Sequence, residues 1–133
     1  MPANKDDVML LMDVTNSCLK ILDTTIDIEY NDFENNYRIH TVVERLLEVI
    51  GEASKRLSHE TRDTLDHIPW KSIIGLRNII AHDYDEIMYE FIWETATIFV
   101  PELLNNLNQV DSLKDYINQE KMKYEKTKDM EFQ

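Results

Sequence analysis

The sequence predicts an all-α fold, an up-and-down bundle of four to five helices, on three observations. Only two glycines and three prolines interrupt 133 residues, so few tight turns are available. Leu, Ile, Glu, Asp and Lys dominate what remains, a composition that favours long helices. Apolar residues recur at spacings of three, four and seven through most of the chain, the period of one helical face. A chain of this length buries one core and not two. A single domain over residues 1–133 is therefore expected, with its core at about 6–108 and a last helix and polar tail at 109–133.

The first helix follows Asp6 and Asp7 and carries Val8, Leu11, Met12, Leu19, Leu22 and Ile26 on one face. The polar cluster of Asn31, Asp32, Asn35 and Asn36 breaks the period. Val42, Val43, Leu46, Leu47, Ile50, Ala53 and Leu57 resume it as a second helix. Between His59 and His67 the pattern supports one short turn. Pro69 then suits the first position of a third helix, where a missing N–H costs nothing. That helix holds Trp70, Ile73, Leu76, Ile79 and Ile80 and ends near His82 or Tyr84, because Asp83 and Glu86 have the spacing of a capping box. Ile87, Met88, Phe91, Trp93, Ile98 and Val100 mark the fourth, which Pro101 should kink or restart before Leu103, Leu104 and Leu107. Asp111 caps a last helix. From Lys121 onward the periodicity fades, and a fraying polar tail is expected.

The formal net charge is −12, which weighs against a nucleic-acid partner, since phosphate binding draws on clustered Lys and Arg. It leaves room for a small basic focus in an acidic body, or for a basic partner steered by the acidic surface. The one cysteine, Cys18, lies in a helical pattern and reads as a buried small hydrophobe rather than a nucleophile. No window approaches the roughly 20 apolar residues needed to cross a bilayer, and no leader pattern opens the chain. A soluble, cytoplasmic protein is expected.

The residues that carry chemistry lie between Gly75 and Tyr84, where Arg77, Asn78, His82 and Tyr84 cluster near a predicted helix end. At about 100° per residue, with Arg77 as zero, Asn78 lies near 100° and His82 near 140°, while Leu76, Ile79 and Ile80 occupy the arc from about 200° to 300°. The apolar stripe should face the core and the polar residues should be displayed. A helix ending near His82 would let the chain turn the imidazole toward the guanidinium, whereas an unbroken helix would hold them apart. Ile74 and Ala81 form an apolar pair on the displayed side, which a second copy across a two-fold axis would cover, bringing two His82 residues together.

Cleavage of RNA without a metal needs a base for the 2′-hydroxyl, an acid for the departing 5′-oxygen, and positive charge around the phosphorane. One imidazole cannot begin in both states, but two copies of His82 can share them near neutral pH. Arg77 would grip the phosphate with its planar fork. The plainer reading is an Arg in a surface salt bridge and a His interacting with a helix dipole.

Arg77-Asn78-Ile79-Ile80-Ala81-His82-Asp83-Tyr84 resembles the R-x-x-x-x-H-x-Y signature of HepT-like HEPN toxins. The likeness extends to Ile50-Gly51-Glu52-Ala53, to Ile68-Pro69-Trp70, and to Trp93, Pro101 and Leu103, over about residues 6–108. The resemblance implies a helical-bundle homodimer that cuts RNA, such as tRNA or mRNA, at a composite site, encoded beside a minimal nucleotidyltransferase antitoxin. It implies that Arg77 and His82 are catalytic, that Asn78 supports them, and that the antitoxin adenylylates Tyr84. An AMP there would place a bulky phosphodiester beside Arg77 and block RNA. Glu52 would either orient Arg77 through an ion pair or be an ordinary surface carboxylate. The last 25 or so residues lie outside the likeness.

Other classes fit less well. His40, His59, His67 and His82 lack the spacing of zinc or di-iron helical sites and read as surface or end-of-helix residues, so no metal or other cofactor is expected. Gly51 and Gly75 sit inside helical patterns, where close packing is the simpler explanation. Tyr30, Tyr37, Tyr89, Tyr116 and Tyr124 are not interleaved with basic residues and read as core or rim. Lys121, Lys123, Lys126 and Lys128 form the one basic cluster, read as a solvated tail. The main competing class is a noncatalytic interaction or substrate-binding module that partners a nucleotidyltransferase.

Overall fold

The computed structural model describes residues 5–82 and 89–131, and of residues 81, 82 and 126–131 the backbone alone. Among the described residues every regular element is a helix: α1 (Lys5–Thr25), α2 (Tyr30–Asn35), α3 (Tyr37–Arg56), α4 (His59–Thr64), α5 (Trp70–His82), α6 (Tyr89–Glu94), a π-helical turn (Thr95–Phe99), α7 (Val100–Leu107) and α8 (Asp111–Glu131). The all-α class read from composition is what forms. Because α6, the π turn and α7 run on without a break, five long rods pack together, with α2 and α4 as short connectors.

α1 and α3 run antiparallel, and specific contacts fix this. Asp7, in the first turn of α1, accepts hydrogen bonds from the Ser58 amide (3.0 Å), Ser58 Oγ (2.6 Å) and Thr61 Oγ1 (2.6 Å). The start of α1 is thus tied to the chain just beyond the end of α3. Burial raises the Asp7 carboxyl, but these three donors outweigh it and hold the group below its ordinary value of 3.8. The core between the rods is apolar: Leu11, Val14, Cys18 and Ile21 of α1, Val43, Leu47 and Ile50 of α3, and Ile73 of α5 are fully buried. Each large side chain among them contributes roughly 1.5–3 kcal/mol. Burial also pushes the Cys18 thiol up to about 12, so it packs as a hydrophobe.

Several expectations are corrected. The polar stretch around Asn31 holds a helix, α2, because the Asp32 carboxylate accepts from the Glu29 amide at 3.0 Å and Phe33 is wholly buried. Asn36 then caps α3 by accepting from the Arg38 amide, which starts that helix at Tyr37 rather than Val42. At Pro101, by contrast, the expected restart is found: α7 begins at Val100 with Pro101 in its first turn, and the wider π turn ahead of it absorbs the missing donor, with the Val100 amide reaching back to the Thr95 carbonyl. The chain beyond Lys121 is no unpacked tail: α8 continues to Glu131, and Tyr124 packs half-buried on the core, where Leu19, Leu22 and Ile26 of α1 line the adjoining groove. Its lysines hid the spacing of Leu113, Ile117 and Tyr124 along one face. Tyr37 is two-thirds exposed, with the Arg38 guanidinium over its ring, and belongs to neither core nor rim. The capping pair Asp83 and Glu86 lies outside the described residues.

Candidate functional site

The rotation of α5 decides what its polar residues can do. The Trp70 indole Nε1 donates to the Leu65 carbonyl at 3.0 Å and pins the start of the helix. Ile73, Leu76 and Ile80 are then buried, so the helix cannot turn without exposing them. Arg77 and Asn78, on other arcs, are left exposed.

Arg77 is held from α3. Its Nε donates to Glu52 Oε1 at 2.9 Å, with the two side chains 46% and 48% exposed. At that exposure the pair adds only about 0–1 kcal/mol to stability. What it does is aim the guanidinium, using one of its five donors. Gly51, the residue before Glu52, makes the approach possible: a Cβ there would lie 3.1 Å from the Ile73 carbonyl and 3.4 Å from the Arg77 amide. The close-packing reason expected for glycine therefore holds at Gly51. It fails at Gly75, where an added Cβ would meet nothing within 4 Å.

α5 stays helical through His82, so the chain makes no turn that swings residue 82 toward residue 77. Arg77 and His82 leave the helix roughly 140° apart. Arg77 lies on the side that meets α3, while residue 82 lies on the arc adjoining a second feature. This is a groove of about 450 Å³ between α5 and the fourth rod, lined by Ser72, Gly75 and Ile79 on one side and Phe91, Thr95 and Phe99 on the other. Tyr84 lies outside the described residues, as does the His82 side chain. Among the described residues no group of three or more His, Cys, Asp or Glu is placed to hold a metal ion. No helix among them is long and apolar enough to cross a membrane.

Comparison with known proteins places this geometry. The model of the family described as "Ribonuclease HepT-like" matches residues 15–110, which takes in α3, α5 and the Gly51–Glu52–Arg77 contact. The chain belongs to the HepT-like ribonuclease family. It is 38% identical over 101 residues to "Putative RNase MJ1380" of Methanocaldococcus jannaschii, covering 76% of this chain and 93% of that protein. It is 32% identical over 97 residues to "Putative RNase TTE0752" of Caldanaerobacter subterraneus, covering 73% and 87%. With "Probable ribonuclease HepT" of Thermococcus cleftensis it shares 29% over 93 residues, 70% of this chain and 84% of the relative. No solved structure matches it significantly. The HepT-like match ends at Val110, so α8 lies beyond it.

One cluster was misjudged from sequence. His40, expected at the surface, is 8% exposed, and its Nδ1 lies 2.8 Å from Oε2 of Glu44, itself 4% exposed. The signal was present: His40 and Glu44 are one turn apart on the stripe that continues through Val43, Leu47 and Ile50. Two polar residues on a core stripe at that spacing satisfy one another. His59 and His67 are exposed, as expected.

Proposed function

We propose that this chain is a metal-independent endoribonuclease, the toxin of a toxin–antitoxin pair, acting as a homodimer whose site is shared between copies. The observation that carries the reading is an exposed Arg77, aimed by Glu52 across the α3–α5 seam, in a member of the HepT-like ribonuclease family. In the proposed reaction one His82 takes the 2′-hydroxyl proton, and the 2′-oxygen attacks phosphorus. The P–O5′ bond breaks, and the second His82 protonates the leaving oxygen. Arg77 neutralises charge on the phosphorane, with Asn78 beside it. The helical backbone of α5 sets positions 77 and 82 roughly 140° apart, which supports a site shared between two copies. The apolar groove and the open face of Gly75 offer a surface for the second copy. Adenylylation of Tyr84 by a minimal nucleotidyltransferase would then fill the phosphate position and silence the toxin.

The test is cleavage of RNA by purified protein in excess chelator. Wild type should cut, and His82→Ala should remain dimeric and inert. A wild type inert with and without chelator would favour the competing reading of a noncatalytic module, which the charge of −12 supports. Intact mass after expression with the nucleotidyltransferase should show AMP added at Tyr84. An unmodified chain in a stable complex would instead mean silencing by binding.

A further inference from the structure

The buried pair of His40 and Glu44 lies at the far end of the helix that aims Arg77, and it touches the residue at which the described chain resumes after the motif. His40 packs against Tyr89 with ring centroids 4.6 Å apart at 42°, and against Phe33 at 6.1 Å and 66°. Phe33 also meets Tyr89 edge-on at 6.5 Å and Trp93 at 5.2 Å. Glu44 fixes the ring, because the imidazole must carry a proton on Nδ1 to donate to Oε2. α3 therefore grips the motif segment twice, at Arg77 through Gly51 and Glu52, and at Tyr89 through His40.

Between His40 and Glu52 α3 is unbroken helix. That stretch is a stiff ruler of about 18 Å at 1.5 Å per residue. Both ends of the span that carries Asn78, His82 and Tyr84 are thereby referred to one rigid element. A buried His–Glu pair is a poor way to add stability, since well-packed apolar residues often match or exceed it. Fixing one ring in one orientation is something those residues would not do.

We propose that His40 and Glu44 are a positioning pair that anchors Tyr89, the residue flanking the motif on its downstream side, on the same helix that aims Arg77. The proposal rests on the ribonuclease reading for its main readout. His40→Leu/Glu44→Leu removes the pair but keeps the volume apolar. The variant should melt at or above the wild-type temperature, while cleavage at saturating RNA falls about 10- to 100-fold, the scale of a misplacement near 1 Å. His40→Gln keeps a donor for Glu44 and should retain most of the turnover. A purely structural pair predicts unchanged cleavage in the stable double variant, and that result overturns the proposal. If the double variant fails to fold, Tyr89→Leu decides: it leaves the pair intact but removes the ring that the pair holds, so lost turnover supports the proposal and full turnover overturns it. Affinity for a 2′-O-methyl oligoribonucleotide of mixed sequence separates the two readings. A wild type that binds it but cuts no RNA removes the ribonuclease reading, and a drop in affinity in the double variant still supports the positioning pair, whereas equal affinity overturns it. A wild type that neither binds nor cuts overturns both.

Discussion

Glu44 and Glu52 sit on the same helix, and each holds a basic partner in an opposite environment. Glu44 and His40 are almost wholly buried, packed in an aromatic cluster, whereas Glu52 and Arg77 are each about half exposed. Low dielectric makes the buried pair strong, and makes the loss of either partner costly. Water makes the exposed pair weak and leaves the guanidinium open to a competing anion such as phosphate. One helix thus carries a fixed point and an adjustable one, and the adjustable one belongs to the proposed site.

Four substitutions can break or sharpen that contrast. Glu44→Ala strands His40 in the core and should cost about 3–5 kcal/mol in urea unfolding. A loss below 1 kcal/mol would mean that the pair is not buried as described. Gly51→Ala brings a methyl to about 3.1 Å from the Ile73 carbonyl, so α3 and α5 must part, with an expected loss of about 1–3 kcal/mol. It should also lower cleavage, since Arg77 moves with its helix. Asp7→Asn probes a second buried carboxylate and should cost about 1–2 kcal/mol at neutral pH. Because the folded Asp7 carboxyl titrates below 3.8, its contribution is complete above that value and is lost as pH falls through the folded value. The melting temperature of wild type should therefore drop more steeply below pH 3.8 than that of Asp7→Asn. Glu52→Gln should have the smallest effect on stability, under about 1 kcal/mol, while cleavage falls because Arg77 is no longer aimed. Equal loss of stability from Glu52→Gln and Glu44→Ala would erase the contrast.

The fold was legible where apolar spacing was dense. Leu11, Leu19, Val43, Leu47, Ile50, Ile73 and Ile80 lie in the core as their periods require. Where burial rests on one aromatic among polar neighbours, as with Phe33 in α2, periodicity had too few points to register, and beyond Lys121 the lysines masked the face that Tyr124 shares with Leu113 and Ile117. The π turn was hidden because its cause, Pro101, reads equally well as a kink. At the candidate site the sequence placed Asn78 on an exposed arc and Arg77 at its border but left open whether Glu52 reaches Arg77. That contact depends on Gly51 bringing two helices together, a tertiary fact with no local signature. His40 was misread because its partner, not its own chemistry, makes its burial tolerable.

The central claim is that cleavage needs His82 from both copies at once. The most direct measurement is cleavage by wild type co-refolded with a growing excess of the His82→Ala chain, expressed per wild-type chain. The account predicts that activity collapses as mixed dimers replace wild-type ones. Constant activity per wild-type chain would mean that each copy holds a complete site and would contradict it.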